Sequence, residues 1–295
     1  MNPKLRAVQA HPIQHQGQPM LLLRDPLQLS DTSIAIPRQL APLLGLMDGT
    51  RSPTEMEASL QVRAGVRLAP GLLSRLLSDL DSAFLLENER FAAAKQEALD
   101  TYRQAPSRPL TLDGASFAGA PDRASGHLQT YVDSLPPADA VPDRGSVRGM
   151  VSPHIDYQRG GHVYAQVWHA AAEAVREAEL VILLGTDHQG SSATLTLTQQ
   201  SYATPWGVLP TDSEVVRSLA DALGDEAVFA EELHHRSEHS IELAAVWLHF
   251  IRHTHAAGVE QPLPVVPLLC GHFGDFVDGE DDPARHQPFE VAVGL

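Results

Sequence analysis

Lysine is nearly absent from this 295-residue sequence: it occurs at Lys4 and Lys95, and almost all the positive charge is arginine. Against 21 basic residues stand 37 acidic ones, for a formal net charge of -16. Sequence-independent nucleic-acid binding relies on basic surfaces that neutralise phosphates, so this balance argues against it. Cysteine occurs once, at Cys270, so no intramolecular disulfide can form, and a cytoplasmic location is expected. No apolar run approaches the roughly 20 residues that a membrane helix needs. The first residues also lack the apolar core of a signal peptide, so no membrane association is expected. What remains is ordinary globular composition, 43% hydrophobic and 20% charged, in a chain long enough for two domains.

The most informative stretch is 148–190, which reads as strand, turn, helix, strand, turn. Residues 148–152 form a short apolar run that ends at Pro153, with His154 immediately after. Gly160 and Gly161 open an expected helix to about Ala178, with Val163, Val167, Ala170, Ala171 and Ala174 on one stripe. The run 180–184, Leu-Val-Ile-Leu-Leu, has the pattern of a strand covered on both faces of a parallel sheet. Gly185 then turns the chain toward Asp187 and His188. A strand–helix–strand unit crosses over right-handed, so both strands would end on one rim and present His154 and His188 together. Neighbouring strands would lie about 5 Å apart, or about twice that with one strand between, and two imidazoles so placed can reach one metal ion.

The N-terminal third reads differently. Residues 1–18 are polar and expected to be mobile. A short strand at 20–23 is followed by three helical segments. The first, 37–47, stops at Asp48-Gly49. The second is announced by Ser52 as cap, Pro53 at the first position and Glu55 three residues on. The third begins at Pro70 and carries Leu72, Leu73, Leu76, Leu77 and Leu80 at core spacing. Three helices and a hairpin within about 70 residues suggest a small α+β winged-helix domain over 19–103. Its DGTRS turn and leucine-rich third helix resemble the PqqD-like modules that accompany radical-SAM systems, which implies a role in binding a partner protein or peptide. Nucleic-acid binding fits poorly, because the third helix offers only Arg75 among Asp79 and Asp81. The proline-containing stretch 104–110 is the expected linker, and 111–295 the second domain.

Later elements include a strand near 193–197, a helix capped by Asp212, and a long helix opening at 237–242 (Ser-Glu-His-Ser-Ile-Glu) with Ile241, Ala244, Ala245, Leu248 and Ile251 buried. A further buried strand, 264–269, leads to Cys270. His239 opens the long helix, where a neutral ring can ligate metal or act as base toward a substrate hydroxyl. Asp187 and Glu238, each beside a site histidine, are candidates to orient a ring through its second nitrogen. His235 and His239 have H-x-x-x-H spacing, but Arg236 stands where a zinc protease needs glutamate. His249, His253 and His255 read as a solvated helix end. Cys270 is a lesser candidate to complete a trigonal His-His-Cys site.

The motifs DGASFAGAP, SPHIDY, GTDHQG, SEHSIE and VVPLLCG, in this order, resemble the Memo family, also called AmmeMemoRadiSam system protein B. The resemblance implies an α/β domain with a mostly parallel sheet and flanking helices, similar to class III extradiol dioxygenases. It further implies His154 and His188 as metal ligands, His239 as the acid–base residue lining the site, and Fe(II) as cofactor, with copper the alternative. The implied function is a dioxygenase-like oxidoreductase acting on a small molecule in a radical-SAM-associated system. The rivals are a non-catalytic metal carrier, a peptide-binding adaptor and an inactive fragment. Memo proteins continue past VVPLLCG with an Asp-x-x-His strand and a segment bearing the third ligand. Here the sequence stops at Leu295, so the domain is expected to be C-terminally incomplete, its open sheet edge covered by a missing segment or an oligomer.

Overall fold

A computed structural model describes residues 2–111, 117–136, 147–190, 194–255, 263–280 and 282–294. Contacts divide the chain into two compact units, Met1–Thr101 and Tyr102–Leu295.

In the first unit, Gln16 and Gly17 both adopt positive φ, 49° and 75°. That two-residue turn matches the twist of a hairpin. It folds β1 (Gln9–His15) antiparallel onto β2 (Gln18–Arg24), with β3 (Ile34–Pro37) on the other side of β2. Within the segment 1–18, β1 is mostly exposed and its sequence polar, so it carries no apolar alternation to announce a strand. Helices α1 (Ala41–Leu46), α2 (Pro53–Ala64) and α3 (Leu72–Ser82) follow. α2 starts where the sequence says, because Ser52 and Glu55 close a reciprocal capping box, and Gly65 ends it in the left-handed conformation. Leu23, Leu43, Met56, Leu60, Leu73 and Leu80 form the core of this unit. The sheet precedes the helices in chain order.

α4 (Glu89–Gln104) contains the division between the units. The second unit continues through α5 (Pro121–Asp133), α6 (Tyr157–Ala170), α7 (Ala172–Glu177) and β4 (Val181–Thr186). Next come β5 (Leu195–Leu197), β6 (Tyr202–Thr204), β7 (Gly207–Leu209), α8 (Ser213–Leu223), α9 (Asp225–Phe229) and α10 (Ser240–His255). The chain closes with β8 (Val265–Cys270), α11 (Gly274–Val277) and α12 (Gln287–Gly294). Part of the DGASFAGAP motif (112–116) and the proline-rich stretch 137–142 lie outside the described residues.

The expected mostly parallel sheet is corrected. β8 lies between β4, which it pairs parallel, and β5, which it pairs antiparallel, so the sheet is mixed. Residues 148–152 form no strand among the described residues. β4 is covered on one face only: Ile182 and Leu184 are 58% and 71% exposed. An uninterrupted apolar run fits a doubly covered strand, but periodicity cannot report which neighbours exist.

α10 is buried on nearly every side, from Ile241 to Ile251, and forms the centre of the core rather than one wall of it. α6 packs beside it through Tyr157, Tyr164 and Trp168, with Tyr164 stacked on Trp247 at 6.0 Å and 3°. The helix begins three residues earlier than expected, at Tyr157, because the Asp156 side chain accepts from Arg159 N at 2.9 Å and caps it. Its buried stripe is also in a different phase: the aromatic rings face inward and Val163 is half exposed.

Gly161 admits α5 against α6, since a Cβ there would lie 2.4–2.6 Å from ring atoms of Tyr131. Gly161→Ala is therefore expected to destabilise the second unit by about 1–3 kcal/mol, the usual cost of overpacking. Thermal melting followed by tryptophan fluorescence would read the change. An unchanged melting temperature would mean that α5 moves aside freely.

Candidate metal centre

His154 lies on an extended segment that is pinned on both sides of it. Trp168 Nε1 donates to Ser152 Oγ at 3.0 Å, and Tyr164 OH donates to the Ile155 carbonyl at 3.1 Å. Both donors belong to α6, so the helix fixes the histidine that precedes it. His188 stands two residues past the end of β4. His239 stands immediately before α10. The approach of α10 to β4 depends on Gly185, where a Cβ would meet Ile241 at 2.5 Å and Ser240 Oγ at 2.7 Å. Ser240 Oγ donates to the Thr186 carbonyl at 3.0 Å and ties the two ends together.

These placements bring the three rings onto one cavity of about 360 Å³, lined by His154, Ile155, Asp156, Arg159, His188, His239 and Leu243. Ring centroids are 5.3 Å apart for His154–His188, 6.0 Å for His154–His239 and 4.7 Å for His188–His239, the last pair stacked at 14°. The convergence expected from the sequence is present, although a pinned loop rather than a strand end carries His154.

Glu238 is the hub beneath the rings. Its carboxylate accepts from His188 N (3.2 Å), His188 Nδ1 (2.9 Å), His239 N (2.7 Å) and Ser240 N (3.0 Å). His239 Nδ1 also lies 3.2 Å from it. A carboxylate offers about four lone-pair sites, and these donors occupy them. Burial alone would raise its pKa, but the bonds from Ser240 and His188 outweigh that and hold it below the usual value. Because an ionised carboxylate only accepts, His188 carries a proton on Nδ1, which leaves Nε2 as the nitrogen for a metal ion. Burial and the two neighbouring rings push the His154 pKa down, which suits a ligand nitrogen.

Among the described residues, two groups bring ligand atoms within 4.8 Å of one another: His188, Glu238 and His239, and Asp187, Glu231 and His234. Asp187 does not reach a ring of the cavity; its Oδ2 meets His234 Nδ1 at 2.8 Å and its Oδ1 accepts from Gln189 N. Desolvation works against its charge, yet the His234 contact leaves its pKa lowered. His154 belongs to neither group, and neither does Cys270, which ends β8. Burial, followed by the Asp187 charge, pushes its thiol up to about 11, so it stays protonated near neutral pH.

His235 is fully buried with both nitrogens engaged, Nε2 at 3.0 Å from the Thr196 carbonyl and Nδ1 at 2.7 Å from Tyr202 OH. The H-x-x-x-H spacing to His239 is therefore coincidental. His249 is half-buried, its Nδ1 2.6 Å from Thr204 Oγ1 and its ring beside Trp206, which corrects its assignment to a solvated face. His253 is exposed, and the side chain of His255 lies outside the described residues.

Arg108 was not legible as a site residue. It lies in the stretch read as a linker, yet its side chain is 0% exposed. Its guanidinium donates to the carbonyls of His235 (2.9 Å) and Glu238 (2.6 Å), to Thr111 Oγ1 (3.1 Å) and to the buried Glu242 carboxylate. The one available signal was Glu242 itself: a carboxylate between buried Ile241 and Leu243 requires a cation.

Comparison with known proteins identifies the family of the chain. The sequence model of the Memo-like protein family matches residues 108–275, more than half of the chain. A MEMO1 family protein of Aquifex aeolicus is 28% identical over 251 residues, covering 85% of this chain and 63% of that protein. One from Methanosarcina barkeri is 31% identical over 164 residues, covering 56% and 54% respectively. A third, from Methanopyrus kandleri, is 36% identical over 106 residues, covering 35% and 36%. The chain thus spans less than two thirds of the length of these curated relatives. Its matched region holds all three cavity histidines together with Glu238 and Arg108, and the chain belongs to the Memo family.

Proposed function

We propose that this chain binds a redox-active metal ion, Fe(II) or copper, through His154 and His188, with His239 as the acid–base group of a dioxygenase-like oxidoreductase. The observation that carries this reading is the Glu238 carboxylate, which fixes His188 with Nε2 aimed away from its Nδ1 partner, beside two further rings on one cavity. Imidazole nitrogens are donors suited to such metals. A bound ion would supply Lewis-acid and redox chemistry at the cavity. The residues of the chain do the rest. Ile155 and Leu243 supply apolar walls, while His239, 30% exposed, can take a proton from a substrate hydroxyl. Arg159, paired with Asp156 at 2.5 Å, places one cation at the cavity.

A second reading is a non-catalytic adaptor or metal carrier in which the first unit, as a PqqD-like winged helix, binds a radical-SAM-associated protein or peptide. It is favoured by that unit having its own core and by the Aquifex aeolicus match covering more of the chain than the second unit alone. Elemental analysis of the anaerobically purified chain separates metal binding, catalytic or as a carrier, from the adaptor. Near-stoichiometric iron or copper is expected. A chain that emerges metal-free and takes up neither Fe(II) nor copper would leave the adaptor.

A further inference from the structure

Two buried side chains, Arg108 and Glu242, meet the exposed Thr111 and the main chain of 235–238, and none of these lines the cavity. We infer that Arg108 is a positioning residue, whose guanidinium sets the turn that carries Glu238 and, through Glu238, the ring orientation of His188. The inference rests on the proposed metal reading only for its consequence in affinity; the positioning itself stands on geometry.

The turn from His235 to His239 leaves the short helical segment Glu232–Arg236 and enters α10. Two of its carbonyls, those of His235 and Glu238, point inward, where they would be buried without partners. Arg108 reaches both with separate arms of one planar fork, and a third direction is taken by Glu242. Thr111 locks the fork, accepting from Arg108 Nη2 at 3.1 Å while donating to Glu242 at 2.8 Å. The backbone N–H of Thr111 donates to Glu242 as well, at 2.9 Å. The guanidinium also lies over the Tyr202 ring at 5.2 Å, and Tyr202 holds His235. The carbonyl of Glu238 is thus fixed from below while its carboxylate fixes His188 from above.

Simple neutralisation of Glu242 would require only a positive charge. Lysine supplies that charge as one compact ammonium, which cannot span two carbonyls and a carboxylate in the fork geometry. Arg108→Lys therefore separates the two roles. In the metal-free 295-residue chain, nitrogen-15 NMR of the imidazoles should show His188 protonated at Nδ1 in the wild type and a mixture of tautomers in Arg108→Lys. In a cobalt(II) titration read by its visible absorption, Arg108→Lys should bind about tenfold more weakly, the lower end of what loss of an outer partner costs a metal site.

A folded Arg108→Lys variant with the wild-type His188 tautomer and wild-type cobalt(II) affinity overturns the inference and leaves Arg108 as a counter-charge. If that variant does not fold, Thr111→Val decides, since it removes only the lock between fork and carboxylate. It should move the His188 tautomers in the same direction by less, and no movement overturns the inference. Should wild-type chain bind no cobalt(II) while the tautomers still respond to Arg108→Lys, the metal reading fails and the positioning role stands.

Discussion

The double substitution His154→Ala, His188→Ala is expected to abolish uptake of iron or copper while leaving both units folded. Both parts follow from where the side chains lie. His154 is exposed and the His188 side chain is 43% exposed, so neither is part of a packed core. Surface substitutions of this kind usually change stability by no more than about 0.5 kcal/mol. Loss of His188 Nδ1 still leaves Glu238 accepting from three backbone N–H groups, so its charge stays satisfied. The remaining nitrogen, on His239, cannot hold an ion alone. Cys270→Ser is the matching control: a thiol pushed up to about 11 that does not line the cavity should leave uptake unchanged. Elemental analysis and circular dichroism on the three proteins read both parts. Metal retained in the double variant would sink the assignment of His154 and His188, and metal lost in Cys270→Ser would bring the cysteine back into the site.

What the sequence made legible was local or carried by short motifs. Ser52, Pro53 and Glu55 announce α2 because a capping box lies within four consecutive residues. The three cavity histidines emerge beside recognisable turns, and they do meet. The features that escaped depend on partners far away along the chain. Arg108 and Glu242 are 134 positions apart, and neither residue alone says that the other is buried against it. Asp187 looks like a partner for the adjacent His188, but the fold turns it to His234, 47 positions away. The valine and alanine spacing in α6 points to a different phase from the one that tyrosine and tryptophan adopt. The larger rings bury more area, and they face the core. The composition of β4 fits a doubly covered strand, but cover depends on which other elements reach it.

Acid should weaken the second unit well before its carboxylates titrate. His235 is fully buried and neutral: its Nε2–H donates to the Thr196 carbonyl, which can only accept, so its Nδ1 accepts from Tyr202 OH. Desolvation drives its pKa down from an ordinary 6.5 to about 4, and the nearby Arg108 charge adds to the effect. His249 is likewise lowered to about 4, first by burial and then by His253 and Arg252. A lowered histidine pKa means that the unfolded chain takes the proton first as pH falls. The contribution is fully present above pH 6.5 and is lost as pH drops toward 4, below which the native state is protonated too. For His235 alone the loss is on the order of 3 kcal/mol, which in a domain of this size corresponds to roughly 6–12 °C in melting temperature. Glu238 and Asp187 do not blur this window: their pKa values are lowered from the ordinary carboxylate range, so their contribution is lost only at more acid pH. All three tryptophans lie in the second unit, so their fluorescence reports its melting specifically. A melting temperature that stays flat between pH 6.5 and 4.5 would mean that His235 is hydrated in solution. The clamp of Arg108 over Tyr202 would then be looser than the geometry requires.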